Sequence, residues 1–289
     1  MKVSVIIPTL NAEKWIAPLL ERLRGQTLPP AEILVADSRS ADRTREIAAG
    51  VPGVRVLEVA SFNHGGTRDM ALRESGGEVA VFMTQDAQPA SGRLLEQLCA
   101  ALEQAPRAAA AYARQLPRED ALPRERLVRT FSYPAEGAVH DAASVATLGL
   151  RAFYLSNVCA AYRRDVYEEL GGFEKDLRSN EDMLYAAKAI RAGYSVVYAA
   201  EAEVIHSHNL SLGEQYRRNR LQGYELARHR ALLENDSPVS SGKEMFRRVS
   251  GGLLREGRIG SFCAFCADCG ARYLGNRAGK REYEKNAKD

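Results

Sequence analysis

The chain has 289 residues, 45% of them hydrophobic, so it can bury the core of one large α/β domain or of two small ones. Its formal net charge of +3 argues against a dedicated nucleic-acid-binding protein. The first residues contain too short an apolar run for a signal peptide, and no stretch of ~18 apolar residues predicts a membrane span. With an odd number of cysteines, five, these features predict a cytoplasmic protein.

Apolar, β-branched runs alternate with helical periodicity four times near the start of the chain. We predict strands over 3–7, 32–36, 54–59 and 78–83, and helices over 12–24, 42–49, 67–74 and 94–103. Asn11 is the predicted N-cap of the first helix. This alternation is typical of a parallel, doubly wound sheet with right-handed crossovers. No G-x-G-x-x-G follows the first strand, which disfavours a dinucleotide-binding fold of the usual kind.

Polar residues follow these strands, namely Thr9 after the first, Asp37 after the second and Asp86 after the fourth. The carboxyl ends of parallel strands meet at one edge of a sheet, where ligands of open α/β sheets bind, so a nucleotide-sized site is expected there. Taken alone, Asp86 suits a metal or phosphate ligand and a turn or helix cap equally well. The glycine-containing segment 62–68, which ends in Arg68, suits either an anion site at a helix N-terminus or a plain turn with a surface arginine.

Segments 3–11, 37–44 and 84–87 together resemble family 2 glycosyltransferases with the GT-A fold. Segment 62–68 narrows the resemblance to the bacterial rhamnosyltransferase-like branch, and the resemblance extends to about residue 223. It implies an α/β fold with a Rossmann-like, mostly parallel central sheet flanked by helices, and a C-terminal helical extension. The expected GT-A catalytic domain spans 1–210, with a nucleotide-sugar half over 1–107 and an acceptor half over 108–210, and the helical region spans 211–289.

The resemblance also implies roles on the donor side. Pro8, Thr9 and Asp37 would hold the base and ribose, with Asp37 accepting from the N3–H of a uracil or thymine. Asp86 matches the last carboxylate of the family's D-x-D motif, which binds a divalent metal, Mg²⁺ or Mn²⁺. Thr84 stands where the first Asp is expected, so the metal would rely more on the substrate diphosphate and water. The nucleotide-sugar-binding candidates are Pro8, Thr9, Asn11, Asp37, Ser38, Gly66, Arg68, Gln85, Asp86, Arg217 and Arg218.

Glu181 and Asp182 precede a helix predicted over 183–191. Adjacent carboxylates at a helix N-terminus are expected to stay ionised because the helix dipole favours the anion. The common preference of acidic residues for helix starts is the alternative explanation for the pair. The resemblance implies that Asp182 is the catalytic base, taking a proton from the acceptor hydroxyl, and that Glu181 shapes the pocket or positions the acceptor.

His206 and His208 lie two residues apart on an extended segment, so their side chains are expected on one side. Family members bring a histidine from this region to the metal or diphosphate, and His208 is the first candidate and His206 the second. Structural histidines bonded to backbone carbonyls remain the alternative. A helix predicted over 212–233 carries Arg217 and Arg218, which either neutralise the diphosphate, bind an acceptor phosphate, or lie on a solvated face.

The acceptor half shows a looser pattern. We predict strands over 108–114, 154–162, 195–198 and 204–206, a helix over 122–131, an aperiodic mobile loop over 132–149, a linker over 235–242, and helices over 244–254 and 259–274. The cysteines of the C-x2-C-x2-C run, Cys263, Cys266 and Cys269, have no fourth ligand at a suitable spacing, which favours cysteines on a helix face over a metal site.

Residues 243–289 contain 11 Lys or Arg and six Asp or Glu, whereas the preceding part has a net charge of −2. Apolar residues among the basic ones suit an amphipathic helix pair on an anionic membrane surface, or helices that pack on the body or on a second subunit of a homodimer.

The sequence therefore predicts an inverting glycosyltransferase that moves a sugar from a nucleotide-diphosphate sugar to an acceptor hydroxyl. The branch implies L-rhamnose from dTDP-L-rhamnose as the donor and a lipid-linked or surface polysaccharide as the acceptor, with the protein peripheral to the inner face of the cytoplasmic membrane. A UDP-sugar-dependent GT-A transferase is the first alternative. A nucleotidyltransferase and a non-catalytic nucleotide-sugar-binding protein are further alternatives.

Overall fold

The computed structural model describes residues 1–233 and 239–287, and only the backbone of 239–241. Its strands are β1 Val3–Thr9, β2 Glu32–Asp37, β3 Val54–Glu58, β4 Val79–Met83, β5 Gln88–Pro89, β6 Ala108–Leu116, β7 Ala138–His140, β8 Cys159–Arg163 and β9 Ser195–Ile205. Its helices are α1 Glu13–Arg24, α2 Thr44–Ala49, α3 His64–Arg73, α4 Leu94–Gln104, α5 Pro123–Ser132, α6 Ala142–Leu148, α7 Arg164–Glu169, α8 Glu181–Arg191, α9 Leu212–Arg228, α10 Arg230–Leu233, α11 Val239–Arg255 and α12 Ile259–Asn286. A 3₁₀ helix spans Gly149–Phe153.

These strands form one sheet in the order β3-β2-β1-β4-β8-β6-β9-β5, with β7 added to β9. The predicted parallel part is confirmed, since β3, β2, β1 and β4 all pair in parallel. The second half is mixed, because β8 runs antiparallel to both β4 and β6 while β6 and β9 pair in parallel. The carboxyl ends of β1, β2 and β4 therefore lie at one edge, as the sequence predicts.

Helices cover both faces of the sheet, which explains why the central strands are almost continuously apolar. Alternate residues of β1 enter opposite cores: Val5 and Ile7 pack with α1 and α4, whereas Ile6 packs with α3 and α8. The core that contains Ile6 also contains a cluster of aromatic rings. In this cluster, the ring centroid of Tyr162 in β8 lies 5.2 Å from that of Tyr185 in α8. This packing fixes the start of α8, which carries the predicted catalytic carboxylates.

Two predicted helix starts are wrong. The N-cap of α1 is Ala12, without a side-chain hydrogen bond, and Asn11 instead has a φ of 50° and accepts a hydrogen bond from the Ala41 amide (2.9 Å). Helix α3 begins at His64, three residues before the predicted start, because the side chain of Asn63 caps it by accepting from the Gly66 amide (2.8 Å). The two glycines at its start mask this helix in the sequence, since glycine has a low helix propensity.

Segment 132–149 was predicted to be an aperiodic loop, and that prediction is wrong. It contains β7 and α6, and a reciprocal capping box between Asp141 and Ser144 starts α6. The two predicted strands near residue 200 form one strand, β9, and residues 154–158 precede β8 rather than belonging to it. The predicted linker falls partly on residues 234–238, outside the described residues, and α11 already begins at Val239.

The C-terminal helices pack on the rest of the chain, which confirms one of the alternatives predicted for them. Helix α11 contacts α5 through a small core of Val249, Leu253 and Phe265. Helix α12, which carries the three clustered cysteines as predicted, extends to Asn286 and runs along α9. Ile259 and Leu274 remain 67% and 60% exposed, so an additional contact with a membrane or a second subunit stays a prediction.

Helices α9 and α12 meet backbone to backbone at glycines. A Cβ built on Gly279 would lie 1.9 Å from the carbonyl oxygen of Arg220, so no side chain fits without moving the helices apart. We expect Gly279→Ala to lower the free energy of unfolding by about 1–3 kcal/mol, as overpacking does. The matched control is Gly270→Ala in the same helix, where a Cβ meets nothing within 4 Å, and alanine there should stabilise by up to ~1 kcal/mol. Urea denaturation measures both, and equal effects would contradict this packing.

Candidate active site

Asp86, His206 and His208 come together at the edge of the sheet. The Nε2 atoms of both histidines lie 3.5 Å from the same carboxylate oxygen of Asp86. One possible donor atom from each residue lies within 4.8 Å of the others. Within residues 1–233 and 239–287, these three residues are the cluster of histidine and carboxylate side chains that could bind a metal ion. The prediction that the two histidines face the same side is confirmed. One carboxylate and two imidazoles form a donor set that suits a divalent cation.

The protonation states at this cluster also suit a cation. Burial opposes ionisation of Asp86, but the neighbouring histidines and the guanidinium of Arg118 outweigh burial and hold the pKa of Asp86 well below its ordinary value. Burial lowers the pKa of His206 to about 4, so its imidazole is neutral at pH 7. A charged carboxylate and a neutral imidazole are the forms that bind metals.

Gln115, at the end of β6, sets the tautomer of His206. Its Oε1 atom accepts a short hydrogen bond from Arg129, and the same atom lies 3.0 Å from Nδ1 of His206. Arginine can only donate, so this oxygen is an acceptor and Nδ1 of His206 must carry the proton. The lone pair of His206 is then on Nε2, the nitrogen that faces Asp86. Such outer hydrogen bonds orient metal-binding histidines in other sites.

We expect Gln115→Leu to weaken Mn²⁺ binding by about 10–100-fold, since His206 would lose the partner that fixes its proton. Gln115→Glu is the matched control, because its carboxylate oxygen can still accept from both His206 and Arg129. Electron paramagnetic resonance titration of free Mn²⁺ measures the affinity directly. Equal losses in the two variants would show that Gln115 acts through packing alone.

Asp182 lies in the first turn of α8 and is half-buried. Its two carboxylate oxygens accept from the backbone amides of Asn157 (3.0 Å) and Met183 (2.8 Å). The expectation that both carboxylates of the pair stay ionised is wrong for Asp182. Burial, together with the charge of Glu181, raises the pKa of Asp182 to about 7 and outweighs the two hydrogen bonds and the helix dipole. A carboxyl group with that pKa can take up and release a proton near neutral pH.

Glu181 is buried and held by two side chains. Asn157 donates to its Oε1 atom (3.1 Å), and Arg68 lies 3.3 Å from the same atom. Arg68 is itself only 3% exposed, so in this arrangement it supports Glu181 and does not face an open diphosphate site. Gly66 also differs from the prediction, because its amide caps α3 by donating to Asn63.

The metal-type cluster and the carboxylate pair are linked by short contacts. Gln115, which bonds His206, also donates from Nε2 to the Ser156 hydroxyl (2.9 Å). Ser156 precedes Asn157, whose amide and side chain hold Asp182 and Glu181. The two predicted groups therefore share one edge of the sheet.

On the nucleotide side, the predicted residues also gather at this edge, but their contacts differ from the prediction. The carboxylate of Asp37 is fully buried and accepts from the Thr9 hydroxyl (3.0 Å) and from the amide and hydroxyl of Ser40. It thus ties the loop after β2 to β1 and is not open to a base. Gln85 similarly holds the end of β1, since its amide bonds the backbone of Leu10 at 2.8 and 3.1 Å. The remaining predicted residues here are Pro8, which is buried at the end of β1, and Ser38, whose amide donates to Thr9 (2.9 Å).

The two predicted arginines of α9 have different surroundings. Arg218 lines a polar cavity of about 140 Å³ together with His208, Arg129 and Arg272. Burial lowers the pKa of His208, the charge of Asp86 opposes this shift, and the charge of Arg218 lowers the pKa further. The net effect is a lowered pKa. Both arginines are exposed, but Arg217 is not among the residues that line this cavity. Arg218 is therefore the better candidate for binding an anion.

The sequence reasoning did not identify Gln115, Arg118 and Asn157. Arg118 donates to the backbone oxygen of Asp86 (2.5 Å) and lies 3.3 Å from its carboxylate, while its guanidinium packs 4.2 Å from the centroid of the Trp15 ring. Gln115 and Arg118 follow the apolar run of β6, so the rule that polar residues at strand ends form the site would have found both.

The chain is similar in sequence to known glycosyltransferases. A model of Glycosyl transferase family 2 matches residues 4–171. The chain is 40% identical over 221 residues to the O-antigen chain rhamnosyltransferase RfbN of Salmonella typhimurium, covering 75% of this chain and 70% of that protein. It is 37% identical over 219 residues to the O-antigen chain rhamnosyltransferase WbaN of Salmonella anatum, covering 74% and 69%.

Two solved structures share the fold. The mannosyltransferase PcManGT from Pyrobaculum calidifontis, solved in complex with GDP-Man and Mn²⁺, has a TM-score of 0.68 at 18% identity and covers 96% of this chain and 86% of its own. S. aureus TarS 1–349 in complex with UDP has a TM-score of 0.58 at 19% identity and covers 99% and 92%. These likenesses support the predicted GT-A fold. Because the family model matches more than half of the chain, the chain belongs to glycosyl transferase family 2 and is a glycosyltransferase.

Proposed function

We propose that this enzyme transfers L-rhamnose from dTDP-L-rhamnose to a hydroxyl of a lipid-linked or surface polysaccharide. The observation that carries the proposal is the identity of 40% and 37% to two O-antigen chain rhamnosyltransferases over about three-quarters of the chain. The half-buried carboxylate of Asp182, connected through Asn157, Ser156 and Gln115 to a metal-type cluster, supports the same class of reaction. The structure favours neither of the alternatives outside the glycosyltransferases.

In the proposed reaction, Asp182 accepts the proton of the acceptor hydroxyl. The oxygen attacks the anomeric carbon from the face opposite the leaving group, and the bond from that carbon to the diphosphate oxygen breaks. The product has the inverted anomeric configuration, and the nucleoside diphosphate leaves as an anion. Glu181, held by Arg68 and Asn157, keeps a negative charge beside Asp182 and so maintains its raised pKa.

Asp86, His206 and His208 would hold the divalent cation, which when bound neutralises charge on the diphosphate. Two imidazoles suit Mn²⁺ better than Mg²⁺, because Mg²⁺ prefers oxygen ligands. Arg218 is the candidate that offers a further positive charge in the adjoining cavity. We propose that Pro8, Thr9 and Ser38 lie along the nucleotide, with Asp37 supporting their loop.

The proposed acceptor is linked to a lipid, so the enzyme would work at the inner face of the cytoplasmic membrane. Among the described residues, no helix has both the length and the apolar composition to cross a bilayer. The exposed Leu254 and Ile259, beside Arg255 and Arg258, are the proposed contact with an anionic surface. In a homodimer, the same apolar residues would instead contact the second subunit.

The pH dependence tests the role of Asp182. Only its ionised form accepts a proton, and burial together with the charge of Glu181 raises its pKa to about 7. We therefore expect kcat/KM for the acceptor to fall about tenfold per pH unit below 7 and to level off above about pH 8. Steady-state rates of nucleotide release across pH measure this. A flat profile from pH 5 to 8 would contradict the assignment.

Donor identity is tested by thermal stabilisation and nucleotide release with four donors, namely dTDP-L-rhamnose, UDP-glucose, UDP-GlcNAc and GDP-mannose, each with Mn²⁺. Only dTDP-L-rhamnose should both stabilise the protein and be turned over. If a UDP-sugar alone stabilises the protein, the protein is still a family 2 glycosyltransferase, but the proposed donor is wrong.

A further inference from the structure

A second cavity, of about 440 Å³, lies next to the arginine-lined cavity of the active site. Tyr154 and Ser132 line both cavities and so form the wall between them. The second cavity is open on one side and is lined by residues of β6, β7 and β9, the end of α5, the 3₁₀ helix and α11. Its volume lies within the range of small-molecule sites, roughly 300–1,000 Å³.

Aromatic rings make the most rigid wall of this cavity. The ring centroid of Tyr112 lies 5.1 Å from that of Tyr198 and 5.7 Å from that of Tyr154. Two of the hydroxyls are engaged: Tyr198 donates to the Pro134 carbonyl (2.7 Å), and Tyr154 bonds Tyr133 (2.7 Å). The rings are thus fixed before a ligand arrives, and they offer flat apolar faces on which another ring can pack.

One polar group of this cavity has no hydrogen-bond partner and is open to an occupant. Tyr112 lines the cavity, and its hydroxyl makes no hydrogen bond to the residues that the structure describes, yet its oxygen is not among their buried unpartnered atoms. The Nδ1 atom of His140 is buried and unpartnered within the same residues, so it is closed to the cavity. A purely apolar occupant, such as a lipid chain, would bury the Tyr112 hydroxyl unpaired, whereas an occupant with hydroxyl groups can pair with it.

We propose that this cavity binds a pyranose ring of the acceptor glycan, next to the sugar that carries the attacking hydroxyl. The apolar face of the ring packs on Tyr112 and Tyr198, and one of its hydroxyls pairs with the Tyr112 hydroxyl. The shared wall at Tyr154 places this ring beside the cavity that His208 and Arg218 line. The proposal rests on the proposed function for its glycan, but saccharide binding can be measured without donor or transfer.

Gly242 offers a way to fill the cavity without disturbing the active site. It lines the cavity, and a Cβ built there meets no described atom within 4 Å, so Gly242→Leu adds a large side chain to the lining without a clash with the described residues. Gly251→Leu is the matched control, because Gly251 lies on the same helix, has equal room and does not line this cavity. Stabilisation by dTDP with Mn²⁺ checks that each variant is folded.

The probes are methyl α-L-rhamnopyranoside, methyl α-D-mannopyranoside and methyl β-D-galactopyranoside, each measured by saturation-transfer NMR without donor. At least one should bind the wild type and Gly251→Leu, and its signal should be lost in Gly242→Leu. Tyr112→Phe, which removes only the hydroxyl, should raise the Kd about two- to tenfold. Absence of binding by all three probes, or binding that survives Gly242→Leu, would overturn the proposal.

The two proposals fail in different ways. If a glycoside binds in this cavity but no nucleotide sugar is turned over, the cavity assignment stands and the proposed function is wrong. If dTDP-L-rhamnose is turned over but Gly242→Leu and Gly251→Leu have the same KM for the glycan acceptor, the cavity assignment is wrong and the function stands.

Discussion

Asp182→Asn is expected to lower the rate of sugar transfer by about 10²- to 10⁴-fold, because general-base catalysis contributes that much. The amide cannot accept the proton of the acceptor hydroxyl. Asp182 shares the sheet edge with the nucleotide-side residues, but its carboxylate accepts from the amides of Asn157 and Met183. Binding of dTDP with Mn²⁺ should therefore be retained, which shows that the variant is folded. Transfer is measured by product formation with a saturating acceptor.

Asp176→Asn is the matched control for this variant. Asp176 is exposed in the loop before α8, and its backbone oxygen, not its side chain, accepts from Arg228. Its rate should equal that of the wild type. Full turnover by Asp182→Asn with the same acceptor would remove Asp182 from the mechanism.

Asp86→Asn is expected to weaken Mn²⁺ binding by at least ~100-fold, because Asp86 supplies the carboxylate of the His206 and His208 cluster. Transfer should fall with it at fixed metal concentration. The change also leaves the guanidinium of Arg118 beside a neutral amide, so added positive charge disfavours the cation further. Mn²⁺ titration followed by electron paramagnetic resonance measures the affinity.

The control for the metal site is Asp120→Asn, since Asp120 is exposed and follows the same β6 segment as Arg118. It should leave the Mn²⁺ affinity unchanged. Unaltered metal affinity and metal dependence in Asp86→Asn would show that the cation, if required, binds elsewhere.

Local patterns in the sequence predict the first four strands and their helices well. Four apolar runs with intervening amphipathic helices leave little choice of architecture, and β1, β2 and β4 place Thr9, Asp37 and Asp86 at one edge as expected. The pairing of β8 between β4 and β6 was not predictable, because it depends on contacts between residues far apart in the chain.

Sequence patterns predicted which residues belong to the candidate site better than they predicted the contacts between those residues. Spacing alone placed His206 and His208 on one side, since neighbouring side chains alternate along a strand. No local pattern could show that Arg68 pairs with Glu181, because 113 residues separate them. The pKa of Asp182 likewise depends on burial by distant segments, which is why the helix dipole gave the wrong expectation.

The most direct test of the proposed mechanism is the anomeric configuration of the transferred sugar in the first-formed product. The wild-type enzyme, dTDP-L-rhamnose, Mn²⁺ and the lipid-linked glycan acceptor are mixed, and the new anomeric signal is followed by NMR. Direct displacement, with Asp182 as the base, predicts a single product whose configuration is opposite to that of the donor. A product that retains the donor's configuration would contradict this mechanism, and the absence of any rhamnosylated product would contradict the proposed donor and acceptor.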